Sequence, residues 1–96
     1  MSEAGRKFDG GKPRWSLMPW AELAQVVAVI EFGAAKYAPD NWRSVPDGHR
    51  RYLDAMLRHV TAYASGERDD PETGLPHLAH AVCCALFTMW HGSNPR

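Results

Sequence analysis

The stretch that decides the fold is residues 76–91, PHLAHAVCCALFTMWH. A proline opens it, neither glycine nor proline interrupts it, and Gly92 follows it. That is the punctuation of one continuous helix. At about 100° per residue, His77, His80, Cys84 and His91 fall on one narrow stripe. Leu78, Val82, Leu86 and Met89 take the opposite side, with Cys83, Phe87 and Trp90 between. A helix that is apolar nearly all round is expected to be buried on most sides. A polar stripe on such a helix needs partners.

Two further helices flank this one in sequence. Over residues 49–65, Tyr52, Leu53, Met56, Leu57, Val60, Tyr63 and Ala64 recur at helical spacing, with Asp47 placed to cap the start and Gly66 to stop the end. From Pro19 to Tyr37, the apolar face reads Leu23, Val26, Val27, Ile30, Ala34 and Tyr37. Val29 and Phe32 project away from that face, which points to a subunit interface. Gly33 costs about 1 kcal/mol against alanine, so it is expected where a neighbouring helix comes close. Residues 38–48 form a loop, residues 67–75 (ERDDPETGL) an acidic, turn-rich one, and no segment alternates long enough to build a sheet. The expected fold is all-α: an extended N-terminal arm (1–18), a domain of three main helices (19–91) and a short tail (92–96).

With 96 residues the chain makes one domain with a thin core, so a homo-oligomer is expected to complete the bundle. Lys plus Arg and Asp plus Glu are 11 each, for a net charge of zero. That excludes an extended nucleic-acid partner gripped through its phosphates but leaves room for a small basic pocket. The adjacent Cys83 and Cys84 do not suit a disulfide, and MSEAGRKFDGG has no apolar core of a signal peptide. No apolar run approaches the roughly 18 residues of a membrane span. The chain therefore reads as cytoplasmic, with no membrane partner.

His77 and His80 stand one turn apart, so their rings can converge on one ion. Imidazole suits Zn, Mn or Fe. A hairpin of the last two helices would bring His59 toward them, and the acidic loop offers Glu67, Asp69, Asp70 and Glu72 to a hard cation or as a general base. The same histidines also fit hydrogen-bonded core positions, and the loop a solvated turn. A second set of residues is Lys12-Pro13-Arg14 in the arm, and a third is Glu31, Lys36, Tyr37, Asn41, Trp42 and Arg43 around the end of the first helix. Lys and Arg grip phosphate, Trp or Tyr stacks on a base, and Asn reads a purine edge. Equally, Lys36 and Arg43 fit a surface, and Trp42 a plug that seats the loop on the core.

The strings FDGGKPRWSLMP, EFGAAKYAPDNW and LRHVTAYASGERDDPETGLPHLAHAVCCALF resemble the phage-encoded dATP/dGTP diphosphohydrolase domain family over residues 7 to about 90. That family is distantly similar to MazG-like all-α nucleotide pyrophosphohydrolases. The resemblance implies a helical, oligomeric enzyme that splits a purine (deoxy)nucleoside triphosphate into monophosphate and pyrophosphate with a divalent metal, Mg or Mn. It makes residues 19–91 the nucleotide-binding unit, in the host cytoplasm if phage-encoded. His59, His77 and His80 become metal ligands or phosphate contacts, and Asp70 or Glu72 the base toward water. Lys12, Arg14 and Lys36 hold phosphates, Tyr37 or Trp42 stacks on the base, and Asn41 reads its edge. Glu31 and Arg58 join the substrate-binding set. The EExxE and ExxD motifs of MazG-like enzymes are missing: Asp54, Arg58 and His59 stand where the first belongs, and His77-Leu-Ala-His80 where the second does. Either histidines and loop acids hold the metal, or the chain is a non-catalytic, sponge-like protein that sequesters a small signalling nucleotide.

Overall fold

In the computed structural model, which describes residues 4–95, the elements run α1 (Trp20–Lys36), α2 (Gly48–Ala64) and α3 (His77–Ser93). One-turn 3-10 helices, Trp15–Leu17 in the arm and Asn41–Ser44 in the first loop, are additional to the expected elements. Among the described residues no strand forms, only an isolated bridge between Asp69 and Pro76. The three expected helices are present. No helix among the described residues is long and apolar enough to cross a membrane.

The central helix is α3. On one flank α2 runs antiparallel to it, since Gly48 meets His91 while His59 meets His77. On another flank lies α1, where Ala79 and Cys83 offer short side chains that let Val26 and Val29 pack close, with Leu23, Ile30, Leu75 and Phe87 around them. The buried core is accordingly small.

Two glycines shape the α2–α3 hairpin. Gly48 has the imidazole of His91 where a Cβ would sit, so only a residue without a side chain fits. Gly66, at φ +103°, ends α2 in the left-handed region. The bonds Gly66 N–H to Tyr63 O and Glu67 N–H to Ala62 O close a Schellman turn that launches the acidic loop.

Several expectations about packing need correction. Val29 is buried in the core, while Val27 and Tyr37 are exposed, so α1 is turned relative to its expected face. An almost uniformly apolar helix has no strong preferred side, and contact with α3 selects one. Likewise α3 is not covered on most sides: Leu78, Val82, Leu86 and Met89 stay exposed because α1 and α2 occupy only two of its flanks. No side chain approaches Gly33. Asp47 occupies the cap position with left-handed backbone, but its carboxylate turns to Arg50 Nε at 2.8 Å instead of capping the helix.

The arm stands apart from the bundle. Phe8, Trp15 and Leu17 are 84%, 68% and 69% exposed. The radius of gyration is 17.6 Å, against about 12 Å for a compact chain of this length.

Candidate active site

The antiparallel pairing of α2 and α3 places His59 Nδ1 2.9 Å from His77 Nδ1. Beneath them the acidic loop closes on itself through Asp70 N–H to Leu75 O and His77 N–H to Arg68 O. This closure turns Asp70 inward. Its Oδ1 accepts the backbone N–H groups of Glu72 and Thr73 at 2.8 and 3.0 Å, and its Oδ2 lies 4.0 Å from His59 Nδ1. Ligand atoms of His59, Asp70 and His77 all fall within 4.8 Å of one another.

Hydrogen bonding orients these rings. His77, 4% exposed, donates from Nε2 to Glu67 Oε1 at 2.6 Å, which leaves its Nδ1 as a bare lone pair aimed at His59. Burial, followed by the nearby His80 ring, lowers the pKa of His59 below its ordinary value and keeps it neutral near pH 7. Burial opposes the charge on Asp70, yet the two backbone donors outweigh it and hold the carboxyl below its ordinary value. Two imidazole nitrogens beside one ionised carboxylate form a donor set that suits a divalent cation.

His80, expected to pair with His77 as a ligand with His59 as the third, lies outside this cluster. Its Nε2 meets Thr73 Oγ1 at 2.7 Å, and its ring stacks on His59 with centroids 4.5 Å apart. The Thr73 hydroxyl accepts from Leu75 N–H and still has its proton to donate to His80. Thr73 was not among the expected residues; its place three positions after Asp70 in an Asx-type turn was the available signal.

His80 also lines a cleft of about 350 Å³ between α1, the first loop and α3. Lys36, Tyr37, Asn41, Trp42 and Glu72, all expected near substrate, line it too, together with Tyr52, Cys83, Cys84 and Phe87. Lys36 Nζ and Glu72 Oε2 pair across it at 3.1 Å, and this bond raises the lysine pKa. Trp42 is committed to packing: Phe87 stacks on it at 4.0 Å, the Arg43 guanidinium lies over the ring at 4.4 Å, and His91 donates to its carbonyl. Tyr37, 65% exposed, is the aromatic left available to a base. Burial pushes the Cys83 thiol up to about 12 and Cys84 to about 11, so neither is a nucleophile at neutral pH.

The remaining expected residues lie farther out. Arg58 lines an adjoining hollow that shares Tyr37, Asn41 and Tyr52 with the cleft. Glu31 is exposed on α1 and lines neither. Lys12 and Arg14 remain on the arm, where Arg14 lines a separate shallow groove with Trp15 and Met18.

A dATP/dGTP diphosphohydrolase of Salmonella phage PMBT28 is 38% identical over 90 residues, covering 94% of this chain. The chain spans about 30% of that relative's length. No solved structure matches the chain. The family model described as dATP/dGTP diphosphohydrolase, N-terminal, matches residues 2–96, and the chain belongs to that family.

Proposed function

We propose that this chain binds a purine deoxynucleoside triphosphate and hydrolyses it to the monophosphate and pyrophosphate. One observation carries the reading: the His59–Asp70–His77 cluster adjoins, across the His80 ring, a cleft large enough for a base and lined by both apolar and polar groups. The name of the phage relative supports the substrate class.

In this reading His59, His77 and Asp70 hold a divalent metal, with Mn suiting two imidazoles better than Mg. When bound, the metal offsets phosphate charge and acidifies water. Tyr37 stacks on the base and Asn41 reads its edge. Lys36 leaves Glu72 for the phosphates, which frees the Glu72 carboxylate to take a proton from the attacking water. The new bond joins that water oxygen to the α-phosphorus, the bridging P–O bond breaks, and pyrophosphate departs with its electron pair. Asp70, held ionised by its hydrogen bonds, serves the cation better than it serves as a base.

Incubation of the purified chain with each of the four dNTPs and Mg or Mn, with products separated by ion exchange, tests this. Purine monophosphate and pyrophosphate in equal amounts are expected; no turnover with either metal would overturn it. A second reading, nucleotide binding without turnover, is favoured by the missing EExxE and ExxD carboxylates, with Asp54, Arg58 and His59 and His77-Leu-Ala-His80 in their places. Tight binding in EDTA with intact nucleotide recovered would select it.

A further inference from the structure

Thr73 ties three parts of the site together. Its backbone N–H donates to Asp70 Oδ1 at 3.0 Å, its hydroxyl accepts from Leu75 N–H at 3.1 Å, and the same oxygen meets His80 Nε2 at 2.7 Å. The turn around it is closed by Asp70 N–H to Leu75 O and Gly74 N–H to Asp70 O, both 2.8 Å. The loop therefore fixes the hydroxyl oxygen independently of His80.

One assignment of protons uses this geometry fully. A hydroxyl has one proton and two lone pairs, and a neutral imidazole has one N–H and one bare nitrogen. If Nε2–H donated to Thr73, the oxygen would accept twice and its own proton would have no acceptor on the protein. Among the described residues the hydroxyl has no partner besides Leu75 and His80. Thr61 and Thr88, by contrast, donate to backbone carbonyls one turn earlier. The Thr73 proton therefore goes to His80 Nε2, and the ring's own proton sits on Nδ1.

A ring in that form has no lone pair free for a cation. This keeps His80 out of the His59–Asp70–His77 cluster, although it stacks on His59 with centroids 4.5 Å apart. Its Nδ1–H has no acceptor among the described residues, on a side chain that lines the cleft.

We propose that Thr73 is a positioning residue: its hydroxyl locks His80 in the Nδ1–H form, which withholds the ring from the metal and makes it a neutral donor to a phosphate oxygen of the bound nucleotide. The donor role rests on the function proposed above; the tautomer does not.

Long-range ¹H–¹⁵N correlation on the ¹⁵N-labelled, metal-free chain at pH 8, above the ordinary histidine range, reads the tautomer. The His80 signals are assigned by their loss in His80→Gln. Wild type and Thr73→Ser are expected to show a protonated Nδ1 and a bare Nε2. In Thr73→Val, of nearly equal shape, the proton is expected to move in whole or in part to Nε2. A proton on Nε2 in wild type, or a Thr73→Val ring unchanged from wild type, would overturn the proposal.

Calorimetry with the α,β-methylene analogue of dATP and of dGTP reads the donor. Binding should be about tenfold weaker in Thr73→Val than in wild type or Thr73→Ser, as for one lost hydrogen bond to a charged group. Equal affinity in all three would refute the donor role. A wild-type chain that binds neither analogue would refute it together with the proposed function, while the spectra still decide the tautomer.

Discussion

Glu67 and His77 are joined by a 2.6 Å hydrogen bond whose carboxylate end is 56% exposed and whose imidazole end is buried. Through it the end of α2 fixes the ring that opens α3. The bond also dictates which nitrogen of His77 faces His59. Glu67→Gln keeps the shape but removes the charge that makes the ring a strong donor. A 10–100-fold loss of Mn affinity is expected, typical of a lost outer partner, with the helical signal intact. Titration calorimetry with Mn checks it, and unchanged affinity would show that the bond orients nothing.

His77→Ala and His80→Ala separate the proposed His59–Asp70–His77 ligand set from the His77–His80 pair suggested by spacing. His77→Ala should abolish metal uptake. His80→Ala should leave metal stoichiometry unchanged and weaken nucleotide binding, because its ring stacks on His59 and lines the cleft. Equal loss of metal in both variants would return His80 to the ligand set.

Gly48→Ala tests the far end of the hairpin. The added methyl collides with the His91 ring, which also holds the Trp42 carbonyl and stacks on Tyr52. Overpacking of this kind costs about 1–3 kcal/mol. Thermal unfolding should show a Tm several degrees lower, whereas Gly33→Ala, with open space around it, should not lower Tm.

Acid should weaken the metal-free protein. Burial is the largest cause that lowers both His59 and His80 below their ordinary 6.5 in the folded chain. Between the folded values and 6.5 the unfolded chain binds more protons, so stability rises with pH in that window and falls as pH drops through it. Asp70, also lowered, adds a further loss only below its ordinary 3.8. Melting in EDTA at pH 7.5, 6.5 and 5.5 should give a falling Tm, and His59→Asn with His80→Gln a shallower fall. A Tm that rises on acidification would contradict this assignment.

The sequence by itself determined three helices, their approximate limits, and the convergence of two histidine-bearing helices, because proline, glycine and apolar periodicity act over a few residues. It also grouped Lys36, Tyr37 and Asn41 around the end of the first helix, while the tertiary structure brought Glu72 to them. Only the tertiary structure decided that Asp70 and Glu67 serve the histidines while His80 turns to Thr73, since those pairings depend on how the acidic loop closes under α3. The tertiary structure likewise buried Val29 and seated Trp42 on Phe87. On helices apolar nearly all round, the inward face is chosen by the neighbour that packs there, and that neighbour lies dozens of residues away along the chain.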